Sequence, residues 1–126
     1  PLVDYFTGKV TQGSHHASIS FYRTSEPHRH VSDFAVGALT LTCPGGGTTR
    51  RSFKSVYSLR VHPDAKFGDD VFFTNGEAGN INGKFQDATH AAGKVSYSGR
   101  DDCSYQDLSW SVHRVTTDVL GPLNFG

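Results

Sequence analysis

Residues 101–112 read DDCSYQDLSWSV and contain one of the chain's two cysteines and its only tryptophan. Within this stretch Leu108, Trp110 and Val112 alternate with serines. Side chains two positions apart share one face of a β-strand, so the alternation predicts a half-buried strand with Trp110 on its core-facing side. The alternative is a solvent-facing Trp110 that stacks on a sugar ring.

The same period of two recurs along the chain in about eight short segments, for example Ala17–Tyr22 and Gly79–Phe85, with turn residues between them. No window of useful length shows the 3.6-residue period of an amphipathic helix. We therefore expect one all-β domain, an antiparallel β-sandwich or jelly roll of about eight strands, with a closed barrel as the main competitor. The domain is expected at residues 1–115, followed by a tail or linker at 116–126.

The charge balance of the sequence indicates which classes of binding partner to expect. The 126 residues include 12 Lys and Arg and 12 Asp and Glu, a formal net charge of zero. Nucleic-acid binding requires a basic excess or a clustered basic face, and the densest basic group in the sequence is only Arg50-Arg51 with Lys54, so no nucleic-acid partner is expected. No apolar run approaches ~18 residues, so no membrane span is expected either. Because the chain begins at Pro1 rather than Met, we expect that N-terminal residues were removed by processing or cloning.

The two cysteines, Cys43 and Cys103, lie 60 positions apart, which excludes the close spacing of CxxC redox and zinc motifs. A single disulfide between them is the simplest interpretation, and two buried free thiols are the alternative. Because disulfides persist in oxidising compartments, the pair predicts a secreted or extracellular protein.

Several short patterns recur in residues 79–115, which read GNINGKFQDATHAAGKVSYSGRDDCSYQDLSWSVHRV. They are Ile-x-Gly-x-Phe, Ala-x-Gly-x-Val, a cysteine before a short turn, and Leu-x-Trp-x-Val. Together with YFTGKVTQGSHHASISF at residues 5–21, they resemble small secreted all-β domains of Gram-positive, especially actinobacterial, proteins. The resemblance implies a β-sandwich and secretion. It transfers no functional residues, since such domains carry no settled activity. Residues 105–107 depart from the pattern and are expected to enlarge the loop after the cysteine.

Aromatic side chains are the candidate binding residues. Tyr22 is out of phase with Ile19 and Phe21, and Tyr105 lies in the expected enlarged loop, so both are predicted to be exposed. Tyrosine tolerates half exposure because its ring packs while its hydroxyl stays hydrated. Tyr22, Tyr105 and, in the solvent-facing alternative, Trp110 could therefore stack on a saccharide.

Two groups of residues could bind a metal. His28 and His30 place two imidazoles on one face of an extended segment, a usable first pair of ligands for zinc, copper or nickel. Six aspartates are predicted to lie in loops and offer oxygen ligands for a structural Ca²⁺: Asp69, Asp70, Asp87, Asp101, Asp102 and Asp107. The alternatives are an ordinary polar loop and solvated turns.

No catalytic motif such as G-x-S-x-G or H-E-x-x-H occurs in the sequence. We therefore favour a non-catalytic extracellular binding module for a carbohydrate or a cell-surface polymer, which should carry a row of coplanar aromatics on one sheet face. A self-assembling subunit that packs through sheet edges and the apolar ends at residues 1–3 and 119–126 is the first alternative. A small hydrolase on a jelly-roll scaffold is the second.

Overall fold

The computed structural model of the chain describes residues 2–12, 15–25, 28–99 and 101–119. The nine strands within these ranges are β1 Leu2–Gln12, β2 His15–Thr24, β3 His30–Thr42, β4 Thr48–Ser55, β5 Leu59–Arg60, β6 Lys66–Phe72, β7 Ala78–Phe85, β8 His90–Ser98 and β9 Ser104–Val119. The one helical element in these ranges is the three-residue 3₁₀ turn Pro44–Gly46. None of the described residues therefore forms a helix that could cross a membrane.

All strand pairs are antiparallel, and the order in the sheet is β4-β3-β2-β1-β9-β8-β7-β6, with the two-residue β5 paired to β3. Two four-stranded meanders, β1 to β4 and β6 to β9, are thus joined edge to edge through β1 and β9. The predicted all-β antiparallel class is confirmed. The count is nine rather than about eight because the alternating segment Ser52–Val61, which the sequence predicts as one strand, is divided between β4 and β5, with no strand at residues 56–58.

The continuous sheet folds over so that its two halves share one core. Phe21 of β2 lies 6.0 Å from Phe67 of β6 and 5.8 Å from Trp110 of β9, measured between ring centroids. Phe34 of β3 also lies 6.3 Å from Phe67. Such ring pairs bury large apolar areas, and here they hold the two meanders face to face as in a sandwich.

The two outermost strands approach each other at one point. Just beyond the end of β6, the Thr74 amide donates a 2.8 Å hydrogen bond to the Lys54 carbonyl of β4. The neighbouring rings of Phe53 and Phe73 have centroids 4.5 Å apart. This contact brings the two outer strands of the folded sheet together at one point.

Trp110 lies in the shared core with 2% of its surface exposed. It pairs across the backbone with Gly93 of β8, and a Cβ added to Gly83 of β7 would be 2.6 Å from its Cζ2 atom. Gly83 thus leaves the space that the indole fills, whereas a Cβ on Gly93 would meet the backbone of Asn82 and Gly83. The predicted core orientation of Trp110 is confirmed, and the solvent-facing alternative is wrong because the ring is not accessible to a sugar.

The predicted disulfide between Cys43 and Cys103 is confirmed, with Cα atoms 4.0 Å apart. Cys43 directly follows β3 and Cys103 directly precedes β9. Next to the bridge, Thr42 and Ser104 pair β3 with β9. The disulfide therefore closes the sheet at the end where these two strands, which belong to different meanders, converge.

The C-terminal segment belongs in part to the sheet. Strand β9 continues to Val119, which pairs with Leu2 of β1, so residues 116–119 of the predicted tail are in a strand. Residues 120–126 lie outside the described residues, as does most of the apolar C-terminal end predicted at 119–126.

Candidate functional site

The predicted binding tyrosines are exposed, but they do not form one site. Tyr22 of β2 is 41% and Tyr105 is 37% exposed. The ring centroids of Tyr22 and Tyr5 of β1 are 5.1 Å apart. In the strand register, Tyr5 pairs with Thr116 of β9. Tyr105 therefore lies roughly 35 Å along β9 from this pair, at ~3.3 Å per residue. The rings of Tyr5 and Tyr22 are tilted by 44°, so they are not the coplanar row expected of a saccharide platform.

The predicted histidine pair forms a local contact. The ring centroids of His28 and His30 are 5.7 Å apart, and His30 Nδ1 lies 2.9 Å from the His28 carbonyl oxygen. Among the described residues, no group of three or more His, Cys, Asp or Glu side chains could hold a metal ion. The metal site at His28 and His30 therefore stays a prediction.

Three of the aspartates suggested for Ca²⁺, Asp69, Asp70 and Asp101, are engaged in hydrogen bonds. Asp69 Oδ1 accepts from the Asp70 amide at 2.7 Å, and Asp70 Oδ1 accepts from Asn80 Nδ2 at 3.0 Å. Asp101 binds the Arg51 guanidinium through both carboxylate oxygens, at 3.3 and 2.8 Å. These hydrogen bonds and the ion pair give each of these carboxylates a structural role. Calcium binding stays a prediction as well.

A groove of about 580 Å³ runs over the outer face of the β6–β9 meander. On this face the outward side chains form rows across the strands. One row joins Asp70, Asn80 and Ser96, and the next joins Phe72, Ala78 and Ser98. The groove is lined by these two rows together with Val71, Gly79, Gln106 and Asp107.

The lining combines an apolar ring with groups that bind hydroxyls. Phe72 is an outward-facing aromatic residue that is 60% exposed. Beside it, Asn80 Nδ2 donates to Asp70, while Asn80 Oδ1 accepts from Asn82 Nδ2 at 3.0 Å. These contacts hold the amides in place and leave further donor and acceptor sites on the amide and carboxylate groups. The arrangement suits a ligand with an apolar face and hydroxyl edges.

A β-bulge in β9 shapes one wall of this groove. The pairing of β8 and β9 shifts register between Val95 and Tyr97, where Asp107 adopts a φ of +52°. The Asp107 amide donates to Ser96 Oγ at 2.9 Å. Bulges re-aim side chains, and this one brings Asp107 into the groove lining. Residues 105–107, expected to enlarge a loop, are instead part of strand β9.

A second polar cluster joins the β6–β7 turn to the end of β8 and to the disulfide. The Arg51 guanidinium binds Asp101 and lies 3.6 Å from Glu77, and the Tyr97 hydroxyl donates to Glu77. Burial and the hydrogen bond to Glu77 raise the pKa of Tyr97, while the hydrogen bond from Arg51 lowers the pKa of Asp101. Asp101 also accepts from the Cys103 amide at 3.1 Å. Because its groups bind one another, we interpret the cluster as structural.

Another cleft, of about 440 Å³, contains Arg23 at one end of the sandwich. The Arg23 guanidinium binds Asp4 at 2.6 Å and lies over the rings of Phe6 and Phe85, at 4.9 and 4.8 Å. It also donates to the Ala88 carbonyl at 3.0 Å. Asp4, the Ala88 carbonyl and the two rings thus hold this cation in place, so Arg23 offers less to a ligand than the groove does.

Comparison of the chain with known protein families, with curated proteins and with solved structures gave no match. The groove residues Phe72 and Asn80 were not singled out at the sequence level. Phe72 lies in the apolar run Val71-Phe72-Phe73. Its position in the strand alternation could have identified it. Because Val71 and Phe73 share the buried face, Phe72 must point outward.

Proposed function

We propose that this protein is a non-catalytic extracellular binding module and that the groove over β6–β9 binds a carbohydrate. The observation that carries the proposal is the exposed Phe72 ring, set beside the hydrogen-bonded pair Asp70 and Asn80. An exposed aromatic ring next to orienting polar groups is the usual composition of a ligand site. The Cys43–Cys103 disulfide supports an oxidising, extracellular location.

Among the described residues the exposed aromatic rings form no coplanar row, and this restricts the class of saccharide that we propose. A single ring can stack on one sugar, whereas a flat crystalline polysaccharide needs several rings in one plane. We therefore propose a soluble or gel-like polysaccharide chain whose hydroxyls meet Asp70, Asn80 and Asp107 while one sugar face lies on Phe72.

Affinity electrophoresis in gels containing xylan, soluble chitosan, mannan or polygalacturonate tests the proposal. We expect retardation by at least one polymer, loss of that retardation in Phe72→Ala, and no change in Tyr22→Ala. Tyr22 is the matched control because it is also an exposed aromatic residue on an outer strand face, but in the other meander. Absence of retardation in every gel, or equal loss in both variants, would contradict the proposal.

Two carboxylates, Asp70 and Asp107, line the groove, and a glycosidase also uses a pair of carboxylates. Asp70 is hydrogen-bonded to Asn80, which favours a binding role. Reducing sugars released from the retarding polymer are therefore measured in the same samples. If the wild type releases reducing sugars and Asp107→Asn does not, the result would favour the hydrolase alternative over the binding module.

Self-assembly through a sheet edge is the other alternative, because among the described strands β6 pairs with β7 alone, and β6 carries the exposed Phe72. Charged residues on an edge strand oppose pairing with another chain, and β6 carries Asp69 and Asp70, both exposed. We therefore expect a mass near 13.7 kDa by light scattering at micromolar concentration. A larger species that Phe72→Ala dissociates would favour assembly.

A further inference from the structure

Four lysines that are distant in the sequence meet on the outer face of the sheet. Lys66 of β6 pairs with Lys84 of β7, and Lys84 pairs with Ala92 of β8. The same row continues through Ser111 of β9 to Lys9 of β1. In the adjacent row, Lys94 of β8 lies between Asn82 and Ser109. We call Lys9, Lys66, Lys84 and Lys94 the lysine face.

The four lysines of the lysine face lie close together, and no described carboxylate neutralises their charge in an ion pair. Neighbouring strands are ~4.8 Å apart, so Lys84 lies roughly 14 Å from Lys9, and diagonal neighbours such as Lys84 and Lys94 are ~7–8 Å apart. All four side chains are exposed. No described carboxylate is within ion-pair distance of them, and the one polar contact of the four is from Lys94 Nζ to Ser109 Oγ at 2.7 Å.

Protection of a sheet edge does not explain this arrangement. Lysine on an edge strand prevents pairing with another chain, which could account for Lys66. Lys84, Lys94 and Lys9 lie on strands that are paired on both sides. Like charges directly opposite each other destabilise a sheet, so the Lys66–Lys84 pair carries a cost that a bound anion would offset.

The lysine face is continuous with the proposed saccharide groove. Along β7, Asn80 lines the groove, Asn82 lies one outward position further, and Lys84 follows. Asn82 Nδ2 donates to Asn80 Oδ1, which links the two regions directly. A single chain could thus lie in the groove and extend over the lysines, along a path of roughly 20 Å.

We propose that the ligand is an acidic polysaccharide, with neutral parts of its sugars in the groove and its anionic groups on the lysine face. The inference rests on the proposed function and adds the charge class of the ligand. Nucleic acid fits less well, because duplex DNA carries one negative charge per ~1.7 Å and would meet Asp70 and Asp107 in the groove. A polysaccharide with spaced charges can place its uncharged edges there.

The test is affinity electrophoresis with polygalacturonate as the acidic probe, and with neutral dextran and duplex DNA as comparison probes. The variant Lys84→Gln/Lys94→Gln is compared with Lys54→Gln/Arg60→Gln, which removes the same charge from exposed positions on β4 and β5. We expect the first variant to weaken polygalacturonate binding about five- to tenfold, and the second less than about twofold.

Salt provides an independent readout. Raising the ionic strength from about 0.01 M to about 0.15 M shortens the Debye length from about 30 Å to about 8 Å. This change should weaken polygalacturonate binding by the wild type more than binding by the Lys84→Gln/Lys94→Gln variant. Equal effects of the two charge-matched variants, or tighter binding of DNA than of polygalacturonate, would overturn the inference. Binding of a neutral polymer that needs Phe72 but neither lysine would overturn it while leaving the proposed function intact.

Discussion

The indole of Trp110 lies against the backbone of Gly83, where a Cβ would be 2.6 Å from Cζ2 and 2.9 Å from the Phe67 ring. Gly83→Ala should therefore force the core apart and lower the free energy of unfolding by about 1–3 kcal/mol. Gly47→Ala is the control, since nothing lies within 4 Å of its added Cβ and its φ of −73° suits any residue. Urea unfolding of both variants gives the comparison, and equal stabilities would contradict this packing.

Trp110 also carries an unsatisfied polar atom. Among the described residues, its buried Nε1 has no hydrogen-bond partner. Trp110→Ala should cost about 3–5 kcal/mol through the cavity it leaves. Trp110→Phe should cost less, because it keeps most of the ring contacts and removes a buried donor whose burial costs about 1–3 kcal/mol. Urea titrations followed by circular dichroism measure both variants, and a near-neutral Trp110→Ala would place the indole outside the core.

The strand pattern and the core orientation of Trp110 could be predicted from the sequence, because alternation depends on neighbours in the chain. The strand order could not, since nothing local specifies that β1 pairs with β9. The lysine face was missed for the same reason. Lys9, Lys66, Lys84 and Lys94 look scattered in the sequence, and only the register of five strands brings them together.

The groove shows a second limit of sequence reasoning. The exposure of Tyr22 and Tyr105 could be predicted from phase and position, but their separation depends on the pairing of β1 with β9. The bulge at Asp107 inserts one residue without any glycine or proline to mark it. The loop expected at residues 105–107 depends on their departure from the resemblance pattern, whereas in the structure the strand continues on both sides of the bulge.

The disulfide should contribute a large part of the stability, because it closes a loop of 60 residues in the unfolded chain. The chain-entropy estimate for a loop of this size is about 4 kcal/mol. We expect reductant to lower the melting temperature by about 10–20 °C. The double variant Cys43→Ala/Cys103→Ala should melt near the reduced protein and not respond to reductant. A wild-type midpoint that reductant leaves unchanged would show that the bridge contributes little.

Asp87, in the turn between β7 and β8, should make stability fall at acidic pH. Its Oδ1 accepts from the Thr89 amide at 2.8 Å and the Thr89 hydroxyl at 3.0 Å, and lies 3.2 Å from His90 Nδ1. These contacts lower the pKa of Asp87 from 3.8 to about 2. The folded state thus favours the charged carboxylate, so the stabilisation is complete above the unfolded pKa and is lost as the pH falls from about 4 to about 2.

Asp87→Asn keeps an acceptor for the Thr89 amide but removes the titrating group. The free energy of unfolding of this variant should therefore decrease less steeply between about pH 4 and pH 2 than that of the wild type. Asp102→Asn is the control, because it removes the same charge from an exposed turn and its φ of +62° is one that asparagine tolerates. Urea titrations at several pH values give the slope of the free energy of unfolding against pH for each protein. A slope for Asp87→Asn equal to that of the wild type and of Asp102→Asn would mean that the turn hydrogen bonds do not favour the charged carboxylate.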